Sequence, residues 1–180
     1  MNFTLTYDGE LKTDGNKQHK HEIRRVFHRQ LAEFWKASPI CQLKKPDDAL
    51  VRTIGKYKFF PLTSSARNEV AELQITLLRP HHGPGYIIGE GGDIDNRLKT
   101  LFDSLRMPRT PDEIPGNDHL GEDEDPFFCL LEDDILITRL SVQADRLLEP
   151  CISRSCVKLI IAVSIMRVPM VGANMIIGIG

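Results

Sequence analysis

Two short acidic motifs hold the residues of this chain that are best suited to chemistry. The first is Asp93-Ile94-Asp95-Asn96, followed by Lys99 and Asp103, and the second is the pair Asp133-Asp134. In an extended segment Asp93 and Asp95 project to the same face, because side chains alternate with a period of two. Carboxylates gathered from different segments form oxygen sites for hard divalent cations such as Mg²⁺. With a lysine nearby, this set predicts phosphodiester chemistry.

The same residues also have a purely structural interpretation, which spacing alone leaves open. Asp95 can be the N-cap of the helix that follows it. Lys99 and Asp103 can form an exposed ion pair four residues apart. Asp133-Asp134 can be a turn ahead of a strand.

Two helices are predicted to position these motifs. Apolar residues at three-and-four spacing indicate a helix over residues 19–37 with a basic outer face, which is either a solvated surface or a contact for phosphates. A second, short helix follows Asp95 and ends before Pro108, so that Asp95, Lys99 and Asp103 stack along one side of it.

The other elements are strands. Alternating or β-branched runs indicate strands over residues 2–7, 49–60, 70–78, 135–142 and 157–168, and order also resumes at 127–131. Strands and helices do not alternate strictly, which favours an α+β domain: one mixed sheet of four to five strands with two to three helices packed on it. Residues 1–168 form this domain, and residues 169–180 form a tail without predicted structure.

The charge of the chain is unevenly distributed. The formal net charge of -2 argues against a nucleic-acid partner only if it is evenly spread. Residues 110–134 hold ten of the 25 acidic residues and no Lys or Arg, which leaves 15 acidic against 23 basic residues elsewhere, a balance of +8. Residues 107–126, acidic and without apolar periodicity, are predicted to be a mobile loop or insertion.

The chain shows no pattern for export or for membrane insertion. Its most apolar stretch, residues 157–180, is interrupted by Lys158, Arg167, Pro169 and Asn174. Four cysteines form no C-x-x-C pair, so isolated thiols are expected rather than zinc or a disulfide framework. These observations predict a cytoplasmic protein without a membrane partner.

The run from Gly92 to Leu105, with Leu131-Glu132-Asp133-Asp134-Ile135 downstream, resembles the RusA family of Holliday junction resolvases. The signature of that family is D-x-D-N-x-x-K-x-x-x-D-x-L, followed by an acidic pair directly ahead of a strand, and every fixed position is present. The resemblance is good over residues 92–142. It departs from the family in the long basic helix near the N-terminus, the long acidic insertion and the glycine-rich residues before Asp93.

The resemblance implies a set of roles. Asp93, Asp95 and Asp134 match the metal-binding acidic residues, Asp133 is the neighbour of the third, Lys99 matches the catalytic lysine, and Asn96 and Asp103 match supporting positions that hold the loop and orient that lysine. Family members depend on Mg²⁺, for which Mn²⁺ is a possible substitute. They act on four-way DNA junctions as homodimers, because a two-fold junction needs two equivalent sites.

Three hypotheses follow from these observations. The first is a Mg²⁺-dependent, structure-selective endodeoxyribonuclease of recombination and repair that acts on branched DNA as a homodimer. Its expected DNA contacts are Lys20, Arg24, Arg25, Arg29 and Arg97. The second is a non-catalytic DNA-binding or interaction module whose acidic insertion covers the site. The third is a divalent-ion-binding domain without a nucleic-acid partner.

Overall fold

The computed structural model describes residues 1–37, 47–80, 94–116, 119–151, 153 and 155–169. In these residues two α-helices and seven β-strands form a single α+β domain, which confirms the predicted fold class. The helices are α1 (Lys17–Ala37) and α2 (Ile94–Leu105). The strands are β1 (Asn2–Glu10), β2 (Arg52–Ile54), β3 (Tyr57–Thr63), β4 (Glu69–Arg79), β5 (Phe127–Leu131), β6 (Ile137–Arg146) and β7 (Cys156–Arg167).

The strands are divided between two mixed sheets. The larger sheet has the order β1-β7-β4-β6 and the smaller one the order β2-β3-β5. The strand predicted over residues 49–60 is instead the β2–β3 hairpin, in which Ile54 pairs with Tyr57. The chain reverses at Gly55, whose φ of 60° lies in the left-handed region that glycine enters without strain.

The helices pack on one face of the larger sheet. Ile23, Phe27 and Leu31 of α1 join a core with alternate residues of the strands, such as Leu159 and Ile161 of β7. This alternation is the pattern of a sheet with one buried face.

Two strands of the smaller sheet, β3 and β5, are buried on both faces. Phe60 and Phe128 contribute to the main core, whereas Phe59 and Phe127 belong to a second cluster on the opposite face. Because β3 and β5 run parallel and are covered on both sides, their sequences read as nearly continuous apolar runs.

Two parallel chain segments pass from the smaller sheet to the larger one side by side. β3 leads into β4 and β5 leads into β6, each across a short 3-10 turn, at Ser65–Arg67 in the first crossing and at Asp134–Leu136 in the second. The turns open with equivalent caps: Ser64 accepts a hydrogen bond from the amide of Ala66, and Asp133 accepts one from the amide of Ile135. The two crossings therefore share a backbone design and differ in side-chain chemistry.

The described part of the acidic insertion, residues 107–116 and 119–126, is packed against the domain. Met107 and Ile114 are buried in the second cluster together with Phe127. Of the two predicted alternatives, a mobile loop or an insertion, these residues fit the insertion, because they carry their own apolar anchors.

Two further features complete the description. Cys151 and Cys156 form a disulfide with their Cα atoms 6.4 Å apart, whereas isolated thiols were expected, and Cys129 is a buried free thiol. Within the described residues, no helix combines the length and the apolar character needed to cross a membrane.

Candidate active site

The acidic pair lies at the second crossing, at the junction of the two sheets. Asp133 ends the extended segment after β5 and caps the turn that begins with Asp134, and this turn packs against α2. The main chain of the second crossing is hydrogen-bonded to that of the first, since the Glu132 amide donates to the Thr63 carbonyl at 2.9 Å. The turn that carries the acidic pair therefore packs against the helix whose first turn holds Asp95.

The guanidinium of Arg109 lies across both carboxylates. Its Nε donates to Asp133 Oδ2 at 3.0 Å, and its Nη2 donates to Asp133 Oδ1 at 3.1 Å and to Asp134 Oδ1 at 3.0 Å. These hydrogen bonds, more than any other contact, lower the pKa of Asp133 to about 2. Arg109 is itself 55% exposed, so the ion pair lies at the surface.

The pKa of Asp134 is shifted in the opposite direction. Partial burial raises the pKa of Asp134, and the adjacent Asp133 carboxylate raises it further. The two carboxylates share one cation, Arg109, so part of the repulsion between their negative charges remains. A second positive charge placed between them would relieve this repulsion.

The D-x-D-N motif is only partly described. Asp93 lies outside the described residues, while Asp95 and Asn96 are exposed in the first turn of α2. The helix begins at Ile94, which places Asp95 inside the first turn rather than at the N-cap. Among the described residues, no three His, Cys, Asp or Glu side chains converge as a metal-binding group. Asp95 therefore does not join Asp133 and Asp134 in such a group.

Lys99 is exposed on α2, one helical turn after Asp95. It makes no hydrogen bond or ion pair within the described parts of the chain, so the predicted ion pair with Asp103 does not form. Asp103 instead accepts hydrogen bonds from Lys20 at 2.7 Å and from Arg106 at 2.8 Å. Burial alone would raise the pKa of Asp103, but these two cations lower it below its ordinary value. The expected role of Asp103 in orienting Lys99 is not supported, because its carboxylate is turned toward α1.

Two residues predicted to contact DNA are buried. Arg24 is 1% exposed and donates to the backbone carbonyls of Asp103, at 2.7 Å, and Arg106, at 3.2 Å. Arg97 is 5% exposed and donates to the carbonyl of Leu11. Both predictions are corrected by this geometry, since a guanidinium enclosed by protein cannot reach a phosphate.

The other predicted contacts differ in their accessibility. Lys20 is paired with Asp103. Arg25 binds Glu124 through two hydrogen bonds, of 2.6 and 3.1 Å, and also donates to the carbonyl of His119. Arg29 is exposed. The basic face of α1 thus serves mainly to hold α2 and the acidic insertion.

An open groove runs beside the acidic pair. It has a volume of about 580 Å³ and lies between β2 and the start of the insertion, with Arg52 on one wall and Pro108 and Arg109 on the other. Asp133 and Glu132 form part of its lining. Arg52 is 62% exposed and donates to Glu132, whose other oxygen accepts from the Ser64 hydroxyl at 2.9 Å.

Sequence reasoning missed both arginines of the groove. Arg52 lies in a segment predicted only as a strand, and its partner is far away in sequence. Arg109 did carry a signal: it is the last basic residue before a long acidic run, and such a position favours pairing with nearby carboxylates.

The chemistry of the donor set suits a hard divalent cation. Asp133 and Asp134 present carboxylate oxygens at one point, and a cationic group of the protein already stands between them. Mg²⁺ commonly takes one or two carboxylates together with water and substrate phosphate, so a pair is a sufficient protein contribution. No protein-family model and no curated protein matches this chain.

Proposed function

We propose that this protein is a Mg²⁺-dependent endodeoxyribonuclease that hydrolyses phosphodiester bonds in branched DNA such as four-way junctions, acting as a cytoplasmic homodimer. The observation that carries the proposal is the position of the acidic pair. The turn with Asp134 packs against α2, the helix that opens on the D-x-D-N motif, although the whole acidic insertion separates the two in sequence.

The residues have complementary roles in this proposal. Asp133 and Asp134 would hold the metal in this proposal. A bound Mg²⁺ supplies electrophilic stabilisation to the phosphodiester as its charge increases. Lys99, exposed and without a partner among the described residues, can offer its ammonium group to that charge. The groove beside the pair is open to solvent and would be the approach for a DNA strand.

The test is the nicking of a labelled four-way junction with Mg²⁺. We expect Asp133→Asn and Asp134→Asn each to reduce cleavage by about 100-fold or more, because each removes a charged metal contact. Lys99→Ala should reduce it by about 10²- to 10³-fold, as expected when one stabilising cation is lost from a transition state. Asp112→Asn is the matched control, since it removes an exposed carboxylate of the insertion and should leave cleavage unchanged.

A second candidate function is favoured by one observation. Arg109 neutralises the acidic pair from within the protein, as expected of a non-catalytic DNA-binding module whose insertion covers the site. Binding of branched DNA by the wild-type protein with no cleavage of any junction, flap or fork would support this module and overturn the enzyme. Sedimentation of the free protein as a monomer would contradict the homodimer, whether the protein is the enzyme or the binding module.

A further inference from the structure

Arg109 is placed to bind either the acidic pair or a phosphate in the groove. It holds Asp133 and Asp134 from one side, and it forms a wall of the groove that a DNA strand would enter. The guanidinium already binds both oxygens of Asp133 and Oδ1 of Asp134, so a metal ion on the same carboxylates would lie close to a second positive charge. Repulsion between the two cations would favour departure of the Arg109 side chain when a metal binds.

The surroundings of Arg109 permit such a movement without a change in the fold. Its main chain is fixed nearby, because the Met107 amide donates to the Leu131 carbonyl at 2.9 Å and the Met107 side chain is buried. The guanidinium itself is more than half exposed, and among the described residues its hydrogen bonds go to the acidic pair. A rotation of this side chain alone would carry its charge from the carboxylates into the groove.

We propose that Arg109 is an exchangeable internal cation: it neutralises Asp133 and Asp134 in the free protein, and it passes to a phosphate of the bound DNA strand when a divalent cation takes its place. This inference rests on the proposed function, because it assumes the metal site. It adds a phosphate contact that belongs to the insertion of this chain and lies outside the D-x-D-N motif.

Arg52 provides the contrast that makes the proposal specific. It lies on the opposite wall of the groove and is similarly exposed, but its partner is Glu132. The Glu132 carboxylate is additionally fixed by hydrogen bonds from Ser64 and Ser65. Arg52 can thus contact a phosphate in the groove, but it does not compete with a metal for the acidic pair.

The test measures metal binding and DNA binding separately. Mg²⁺ binding is measured by calorimetry on the wild type, Arg109→Ala and Arg52→Ala. Binding of a labelled four-way junction is measured by fluorescence anisotropy in a Lys99→Ala background, so that the DNA stays intact. We expect Arg109→Ala to bind Mg²⁺ about three- to tenfold more tightly, which is the range that one or two exposed ion pairs supply. The same variant should bind DNA several-fold more weakly, with the salt slope reduced by about one.

The control variants separate exchange from a structural role. Arg52→Ala should weaken DNA binding and leave the Mg²⁺ affinity unchanged, and Arg109→Lys should restore most of the DNA affinity. An arginine that only stabilises the fold would not shift the two affinities in opposite directions. Unchanged or weaker Mg²⁺ binding by Arg109→Ala, beside normal binding by the wild type, would overturn the exchange alone. Absence of Mg²⁺ binding in both proteins would overturn the proposed function and the exchange with it.

Discussion

Arg24 of α1 and the arginines of the groove are the same residue type in opposite environments. Arg24 is enclosed by protein, whereas Arg52 and Arg109 are more than half exposed. The buried one donates to backbone carbonyls, and the exposed ones pair with carboxylates that line an open groove. The comparison teaches that the two groove arginines offer accessible positive charge beside the acidic pair, whereas Arg24 of the basic helix offers none.

The position of α1 between two layers explains the difference. One face of α1 covers the larger sheet, and a second stripe, with His21, Arg24 and His28, packs against the smaller sheet and α2. Arg24 reaches the last turn of α2, where helix carbonyls lack partners and a positive charge is favourable. Charged residues usually lie in solvent. The carbonyls at the end of α2 stabilise the buried charge of Arg24 instead.

The largest expected effect comes from removing the buried cation. Arg24→Met keeps most of the side-chain volume but leaves two buried carbonyls of the α2 terminus without donors, so we expect a loss of about 2–4 kcal/mol of unfolding free energy. Chemical denaturation with urea measures it. Arg29→Met on the exposed side of the same helix, and Arg109→Met in the groove, should each change it by less than about 0.5 kcal/mol. Equal losses in all three would abolish the distinction between the two sets of arginines.

An intermediate effect is expected where α1 holds the insertion. Arg25→Ala removes the ion pair of the buried Glu124 carboxylate and leaves it, within the described parts of the chain, with the Gly121 amide as its hydrogen-bond donor, at 2.8 Å. We expect a loss of about 1–3 kcal/mol and faster amide hydrogen exchange over residues 119–125. Lys58→Ala, which breaks the exposed pair with Asp125, is the matched control and should change the stability by under about 1 kcal/mol. Unaltered exchange in Arg25→Ala would mean that the apolar anchors alone hold the insertion.

The smallest effect is a dependence on pH through His28. Its Nδ1 accepts from the Phe128 amide at 2.8 Å, so in the folded protein the ring is neutral and its Nε2 donates to the Asp123 carbonyl. Burial lowers the pKa of His28. The unfolded chain therefore takes up a proton below about pH 6.5 that the folded chain resists. Stability is fully present above that pH and is lost as the pH falls toward the lower folded pKa.

Urea denaturation at pH 7.5 and at pH 5.5 measures this dependence. We expect His28→Gln to lose less stability than the wild type over this interval, by about 1 kcal/mol. The control is His119→Gln, which replaces an exposed ring and should keep the wild-type dependence. An acid-induced loss in His28→Gln as large as in the wild type would assign the dependence to other groups, of which His19 is the next, because burial lowers its pKa as well.

The sequence predicts the elements better than it predicts their partners. Helical spacing of Ile23, Phe27 and Leu31 locates α1, and alternation locates β1, β4 and β7, because each has one buried face. The division into two sheets is invisible in the same pattern. A strand buried on both faces, such as β5, shows a continuous apolar run that does not reveal which strand it pairs with.

The candidate site was predictable only where its residues are close in sequence. The motif on α2 and the acidic pair are both readable as short patterns, but Arg109 and Arg52 enter the site through pairings that depend on how the insertion and β2 fold back. Arg24 was misplaced for a related reason. A helical pattern shows one apolar face and gives no indication of a second face covered by a polar stripe.

The pairing of the two crossings also determines when the site is formed during folding. Ser64 and Glu132, which join the crossings, are 68 residues apart in the chain, so their contact closes a long loop and is entropically slow to form. α1 and the β2–β3 hairpin can form from local or shorter contacts, but the acidic pair meets its neighbours only after β5 has docked beside β3. A chain that stalls before this step would keep its helices and lack the groove, so an intact site is a sensitive indicator that the molecule has completed folding.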